Sequence, residues 1–578
     1  MRERGRAAFL FLPAGGRGAD EACVVAGAGL GGYVVEEGEL EAKQWGLIVC
    51  DRFKTPADEF ARFAALAPVL GIDEGGRYRS GFDFLLDLLP ALPGRPEPNA
   101  LAPHLLDLPK NRKPVPFAVP ALGQAVKILI SFGAEGGGEL SSRALRLCGG
   151  LGGARITLVE GALSEGEAGA DSAGGPPVQA LRSAPNLKET LAGYDLVVTH
   201  FGLTAFESLC AGTPVMLLSP TRYHAKLARA ARLFTVRSWP FRRGLDGMAL
   251  TAIAARSAEA ARRYALGGAQ TATVADWMAA LEPKRFPSCP VCAAPPPFPF
   301  ARFPEKSYRR CPRCKTISMA HARGGGAAYT DEYFFESYKR QYGKTYLEDF
   351  PNLTALARRR LRRIKRIAAS GAGAPSPALL DVGCAYGAFL AAAQSEGFRC
   401  EGLDPCAGAV EYVRDAFGIP ARQAYFPDEG LRGQEGTFDV VTLWYVIEHL
   451  QDPAAAIGQA RALLKPGGVF AFSTPSASGA SGRFASKRFL RDSPADHWTI
   501  WDPRAVKKIL RDAGFAAVRV VGSGHHPERL PLVGRYATAK NPLLYKLCMT
   551  LSRAFKLGDT FEAYAVKSST TPVGAHQP

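Results

Sequence analysis

Four cysteines stand as two Cys-x-x-Cys pairs, Cys289-Pro-Val-Cys292 and Cys311-Pro-Arg-Cys314, with 18 residues between them. Two such knuckles supply four thiolates, enough to close a tetrahedral zinc site with no open position, so the expected role is structural. Pro290 and Pro312 stiffen the turns, and Arg310, Arg313 and Lys315 favour thiolates electrostatically. A second constellation is Leu379-Leu-Asp381-Val-Gly383-Cys384-Ala385-Tyr-Gly387, an apolar run that ends in an acid and enters a glycine turn. The next apolar run ends in Asp404, where a carboxylate accepts hydrogen bonds from ribose hydroxyls. A third is Glu448-His449, with Asp496-His497-Trp498 further on; Glu448, His449 and His497 are candidates for proton transfer. A fourth joins Ser131-Phe-Gly133 to His200-Phe-Gly202-Leu-Thr204-Ala-Phe-Glu207. There, backbone N–H groups near Gly202 and Thr204 would receive phosphate at a helix start, and Glu207 would hold ribose hydroxyls.

Positioning these residues requires strands that end at the glycine turns and helices that begin under them. Before about residue 285 the runs Ala8–Leu12, Leu47–Cys50, Val126–Phe132, Ile156–Val159, Asp195–Thr199 and Val215–Leu218 are short and apolar and alternate with helical patterns, which predicts parallel sheets. Leu85–Pro120 is poorly patterned and reads as a crossover between two lobes. After the cysteines comes an aromatic stretch with Tyr329, Tyr333, Phe334, Phe335, Tyr338, Tyr342, Tyr346 and Phe350, whose rings are expected mainly to pack. Arg358–Arg366 carries seven basic residues in nine, with Leu361, Ile364 and Ala368 at helical spacing. It predicts an amphipathic helix with a solvated basic face, followed by a linker over 371–377. Around the third constellation, Phe438–Leu443 reads as a strand with Asp439 at its start. Leu463–Gly468 reads as a helix end and glycine turn before a strand at Val469–Ser473, and Ala517–Val521 and Phe561–Val566 as a closing antiparallel pair. Ser476–Arg491 is a candidate acceptor lid, and Asn541–Lys556 a helix packed on the enzyme by one leucine-rich side.

The turn at Gly383 fails the dinucleotide fingerprint, since Ala385 and Ala388 stand where glycines belong. It resembles instead motif I of class I S-adenosylmethionine (SAM)-dependent methyltransferases. With the segments Asp439-Val-Val-Thr-Leu, Glu448-His-Leu-Gln-Asp-Pro and Leu464-Lys-Pro-Gly-Gly, the likeness over 371–567 is to the ubiquinone-type and sugar-modifying members. The resemblance implies that Asp381, Gly383, Cys384, Ala385 and Gly387 hold the methionine and ribose region, Asp404 the ribose, and that Trp444 and Tyr445 flank the cofactor. Ala385 replaces the middle glycine of the family loop. No Asn-Pro-Pro-Tyr type motif follows, which disfavours amino-nitrogen methylation. Residues 120–280 resemble the nucleotide-binding half of GT-B glycosyltransferases, with likeness to the nucleotide-sugar hydrolases of pseudaminic acid synthesis and the lipid-linked N-acetylglucosaminyltransferase of cell-wall synthesis. That resemblance implies a nucleotide-sugar site at Gly133, Gly202, Thr204 and Glu207. The family's G-x-G-H loop is represented by Pro13–Asp20, which carries Arg17 and no histidine, so a binding module is expected.

The expected α/β organisation is therefore a shortened GT-B-like Rossmann lobe (1–118), a nucleotide-binding GT-B-like lobe (119–284), a zinc ribbon (285–322), an aromatic and basic helical linker (323–370), a seven-stranded methyltransferase sheet (371–567) and a disordered tail (568–578). With 578 residues several cores are required. A hydrophobic content of 47% excludes a disordered chain, and a net charge of +17 implies an anionic partner. The short apolar run at Ala7–Leu12 is neither a signal-peptide core nor a membrane span, and a cytoplasmic enzyme is expected. Its expected ligands are SAM and zinc, and its acceptor a sugar or nucleotide sugar methylated at oxygen or carbon in surface-glycan synthesis. The alternatives are an RNA methyltransferase using the ribbon and basic helix, and a bifunctional enzyme whose first half is an active glycosyltransferase or nucleotide-sugar hydrolase. No transmembrane segment is expected; for the last helix, packing on the enzyme is expected, with a weak peripheral contact with anionic membrane as the alternative.

Overall fold

A computed structural model describes residues 10–11, 34–35, 40–51, 53–121, 123–133, 138–151, 153–159, 176–181, 184, 186–236, 244–266, 272–279, 281, 288–295, 299–304, 306–322, 332–368, 376–537 and 541–568. The Arg17 loop, Tyr329, the 369–375 part of the linker and the tail beyond 568 lie outside them. The chain divides into two compact units, 1–281 and 282–578.

The first unit is built on parallel strands. β1 (Leu10–Phe11) and β2 (Val34–Val35) pair with each other, and β3 (Ile48–Asp51), β4 (Val69–Ile72), β5 (Phe84–Asp87) and β6 (Ala100–Leu101) form a sheet in that order. β4 and β5 are buried along their whole length. This corrects the expectation that Leu85–Pro120 begins as an irregular crossover. Leu85 and Leu86 are core of a central strand, hidden in the sequence because leucine lacks the β-branching that marks strands. The second sheet runs β11 (Val215–Leu217), β10 (Leu196–Thr199), β7 (Lys127–Ser131), β8 (Arg155–Val159), β9 (Val178–Leu181), all parallel. Because β7 and β10 are neighbours, the turns that follow them open side by side.

The second unit contains an antiparallel sheet, β12 (Pro299–Phe303), β13 (Lys306–Arg310), β14 (Ile317–Ala322) and β20 (Thr499–Ile500). Beside it stands a seven-stranded sheet built from β15 (Ala378–Val382), β16 (Arg399–Asp404), β17 (Ala421–Gln423), β18 (Phe438–Trp444), β19 (Leu464–Pro475), β21 (Phe515–Ser523) and β22 (Thr560–Lys567). Their order is β17-β16-β15-β18-β19-β22-β21, with β22 antiparallel to both neighbours. The chain leaves β15 toward β16 on one side and returns to β18 on the other. A crevice therefore forms at the carboxyl ends of β15 and β18, where open α/β sheets take ligands. The expected glycine turn before Val469 is absorbed into β19: Phe438 pairs with Leu464 and Val440 with Val469, so Lys465–Gly468 form a bulge.

Two helices differ from expectation in which face they bury. Phe350–Ala368 buries Leu361 and Ile364 as its spacing predicts, but it also buries Arg360. Pro542–Ala554 packs through Cys548, Ser552 and part of Leu544, while Leu543, Leu547, Leu551 and the following Phe555 stay exposed. The leucine-rich side expected to be core faces outward.

Candidate functional site

At the end of β15, Asp381 is buried and Oδ1 accepts from Thr442 Oγ1 on β18 at 2.6 Å. Burial pushes its carboxyl up to about 7, against the Thr442 hydrogen bond and the Arg360 charge, with Asp404 adding to the rise. Gly383 follows with φ 70°, and a Cβ there would lie 2.3 Å from Val446 Cγ2. The glycine is thus required by packing against the turn after β18 as well as by backbone conformation. Ala385 sits at φ 47°, the left-handed region that favours glycine, and its N–H donates to Asp404 Oδ2 at 2.8 Å. Asp404 Oδ1 accepts from Cys406 N at 2.9 Å, so this carboxylate ties the motif I turn to the turn after β16. Burial also raises Asp404, against those two N–H groups. Each oxygen keeps a second lone pair for a ligand hydroxyl.

Over this turn lies an aromatic cluster. Phe334, Tyr386 and Tyr346 pack edge to face with Ala385 and Cys406, with centroid separations of 5.3 Å for Phe334–Tyr386 and 5.6 Å for Phe334–Tyr346. Burial, and the carboxylates of Asp381 and Asp404 nearby, push the Tyr346 phenol up. Phe334, Phe335 and Tyr346 of the aromatic stretch pack, as expected, but against the motif I turn.

The last residue of β18 and the first of the turn after it are two of the expected cofactor residues. The Trp444 ring is taken up by the core against Phe389 at 5.2 Å, with the Arg360 guanidinium 4.0 Å from its centroid. Tyr445, at φ 58°, donates its N–H to Ser473 O and Oγ at 3.0 and 3.1 Å. Arg360 reaches Glu562 Oε1 through Nε at 3.0 Å and Ser473 Oγ through Nη2 at 3.3 Å; Arg363 takes the other Glu562 oxygen. Arg360 was not distinguishable from its basic neighbours by sequence, except that it falls at i−4 from Ile364 on the buried stripe.

The structure brings the three proton-transfer candidates together: Glu448, His449 and His497 each place a nitrogen or oxygen within 4.8 Å of the others. The His449 and His497 rings meet edge to face at 4.7 Å, and His449 Nδ1 lies 3.0 Å from Asp496 Oδ2. Burial alone would lower His449, but the Asp496 carboxylate and Glu448 outweigh it, and the net shift is upward. Burial and the His449 charge push His497 down to about 3, and burial pushes Glu448 up to about 7. Asp496, passed over as a candidate in the sequence, is the charge that sets His449 apart from His497.

The four cysteines converge as well. Their sulfurs lie within 4.8 Å of one another, with Cys289–Cys314 and Cys292–Cys311 both at 3.6 Å. A tetrahedron with Zn–S of about 2.3 Å has S–S edges of about 3.8 Å, so the set fits that ion. The two knuckles repeat one backbone form. Ala293 and Lys315, each just after a second cysteine, are left-handed and donate to Cys289 O and Cys311 O. β14 from this module pairs with β20, and Met319 N donates to Trp498 O at 2.8 Å. The cysteine module therefore grips the segment that carries Asp496 and His497.

In the first unit, Gly133 and Gly202 meet around His200, whose Nε2 lies 3.0 Å from Phe132 O and Nδ1 3.1 Å from Phe201 O. Gly202 precedes the helix Leu203–Cys210, Thr204 O accepts from Ser208 Oγ, and burial raises Glu207, against the charge of Lys188. A cleft of about 950 Å³ opens beside Asp107, lined by Leu105, Lys110 and Arg112.

Comparison with known proteins agrees with the second unit. The family described as "Methyltransferase domain" matches residues 353–520. The ubiquinone biosynthesis O-methyltransferase of Psychrobacter arcticus is 31% identical over 175 residues, 28% of this chain and 66% of that protein. Its counterpart in Methylococcus capsulatus is 30% identical over 159 residues, 26% of this chain and 67% of that protein. The chain thus spans about two thirds of the length of the curated relatives it matches. Among solved structures, a SAM-dependent methyltransferase from Archaeoglobus fulgidus aligns over 40% of this chain and 100% of its own, with 17% identity and a TM-score of 0.30. Through its second unit, the chain belongs to the class I SAM-dependent methyltransferases.

Proposed function

We propose that the second unit methylates an oxygen or carbon atom of a sugar or glycan-linked acceptor, that Cys289, Cys292, Cys311 and Cys314 hold a structural zinc ion, and that the first unit binds a nucleotide sugar. The observation that carries the reading is the Asp496–His449 pair placed just past β18, beside the crevice. When bound, SAM supplies a methyl group on a sulfonium, open to in-line displacement. The turn Asp381–Gly387 holds the cofactor and Asp404 accepts its ribose hydroxyls. With a proton on Nδ1 facing Asp496, His449 presents the Nε2 lone pair to the acceptor, takes its proton as the bond to carbon forms, and is stabilised as imidazolium by Asp496. His497 stays neutral and orients the pair, since its lowered pKa makes it a poor base. The oxygen target is supported by the relatives named O-methyltransferases, and the sugar by the nucleotide-type loops gathered around His200.

The test supplies methyl-labelled SAM with a nucleotide-sugar and glycan extract, and separately with total RNA. Label in the glycan fraction is expected; label in RNA alone overturns the acceptor class. His449→Ala is expected to slow transfer by about 10²–10⁴-fold with SAM affinity retained.

A further inference from the structure

The helix Pro542–Ala554 is turned the wrong way round for a soluble surface. It buries Cys548 and Ser552, the latter bonded through Oγ to His525 Nδ1 at 2.8 Å. It exposes Leu543 at 80%, Leu547 at 56% and Leu551, and ends in Phe555 at 63%. The helix packs beside the turns 527–529 and 534–536, and between those turns stands Leu532, 89% exposed in a left-handed turn with φ 65°. Leu543, Leu547 and Leu551 follow one another at four-residue spacing along one helix face, unlike the scattered single apolar residues of ordinary surfaces. The charges on the helix itself have one sign. Residues 541–556 contain Lys546, Arg553 and Lys556 and no acid. In the adjoining segments Glu528 pairs with His526 at 2.9 Å and Asp559 with Arg529 at 2.6 Å.

We propose that this face is a membrane-docking surface, which immerses Leu532, Leu543, Leu547 and Phe555 in an anionic leaflet while Lys546, Arg553 and Lys556 meet the headgroups. Charge complementarity selects this occupant, since a helix that carries three cations and no acid matches phosphate headgroups. Attachment would be peripheral, because no helix among the described residues is long and apolar enough to cross a membrane. The face also adjoins the candidate lid, with Ala480 N donating to Leu557 O at 3.0 Å. An acceptor held at a membrane surface would thus be met on the side where the lid lies. The proposal does not depend on the identity of that acceptor.

The experiment is co-sedimentation of the full chain with phosphatidylcholine vesicles, with and without about one third phosphatidylglycerol. Each cation at the surface contributes about fivefold in partitioning, so the three together give roughly a hundredfold preference for the anionic vesicles, weakened by salt. The Leu543→Glu/Leu547→Glu variant is expected to lose vesicle binding while SAM binding stays at the wild-type level, and Leu532→Ser to weaken it severalfold. Absence of vesicle binding by the wild type overturns the proposal. So does equal binding by the wild type and the double variant, or self-association that the double variant abolishes without any vesicle affinity.

Discussion

Arg360→Ala is the most informative single change in the second unit. The guanidinium is buried, bonds Glu562 and Ser473, and covers the Trp444 ring. Removing one partner of a buried ion pair costs about 3–5 kcal/mol because the other charge is left in low dielectric. Glu562 would not be stranded entirely, since Arg363 and the Tyr564 hydroxyl, at 2.7 Å, still donate to it. That places the ionic loss at the lower end, about 3 kcal/mol. The lost stacking on Trp444 adds about 1 kcal/mol. A total near 4 kcal/mol is a large fraction of the roughly 5–15 kcal/mol that holds a domain folded. The effect also reaches the cofactor site, because Ser473 Oγ accepts from Tyr445 N. Urea denaturation measures the first part and titration calorimetry with SAM the second. Arg360→Lys, which keeps the charge but not the forked geometry, should fall between wild type and alanine. A double-mutant cycle with Glu562→Gln should show coupling of about 1–3 kcal/mol. If Arg360→Ala loses under about 1 kcal/mol and binds SAM normally, the pair is solvent-screened and the argument from burial is wrong.

Four further outcomes follow from the site. Gly383→Ala forces a Cβ to within 2.3 Å of Val446 Cγ2 at φ 70°, so it should cost about 2–5 kcal/mol and abolish SAM binding; the opposite change, Ala385→Gly, should gain up to about 1 kcal/mol in thermal denaturation by relieving φ 47°. Folding raises Glu448 from the usual 4.5 to about 7, so between those values the native state keeps a proton that the unfolded chain has lost. Stability then falls as pH rises, by about 3 kcal/mol from this group, and Glu448→Gln should remove that part of the slope in denaturation curves taken across the range. Cys311→Ser should take zinc from one ion per chain to none by elemental analysis, and should slow methyl transfer more than it weakens SAM binding, because β14 holds the segment bearing Asp496 and His497.

Local features of the second unit were legible because they are short-range. A strand ending in an acid, a glycine turn and a helix start occupy nine consecutive residues at Leu379–Gly387, and the Cys-x-x-Cys knuckles are complete within four. Features governed by volume and long-range packing were not. β5, Phe-Leu-Leu-Asp, is a strand without β-branched residues whose burial comes from neighbours rather than from pattern. The helix Pro542–Ala554 shows why amphipathic spacing alone is ambiguous: the leucine stripe is real, but spacing cannot say whether core or another phase covers it.

The sequence by itself determined the order of the motifs, the cofactor class and the four metal-type thiols, since each depends on residue type and spacing along a few turns of chain. Only the tertiary structure decided that Asp496 faces His449 rather than His497, that Arg360 turns inward to Glu562 across 202 residues of chain, and that β14 pairs with β20. Those choices rest on desolvation and contact between distant segments. The free energy of a buried charge depends on what surrounds it, and nothing local in the chain encodes that.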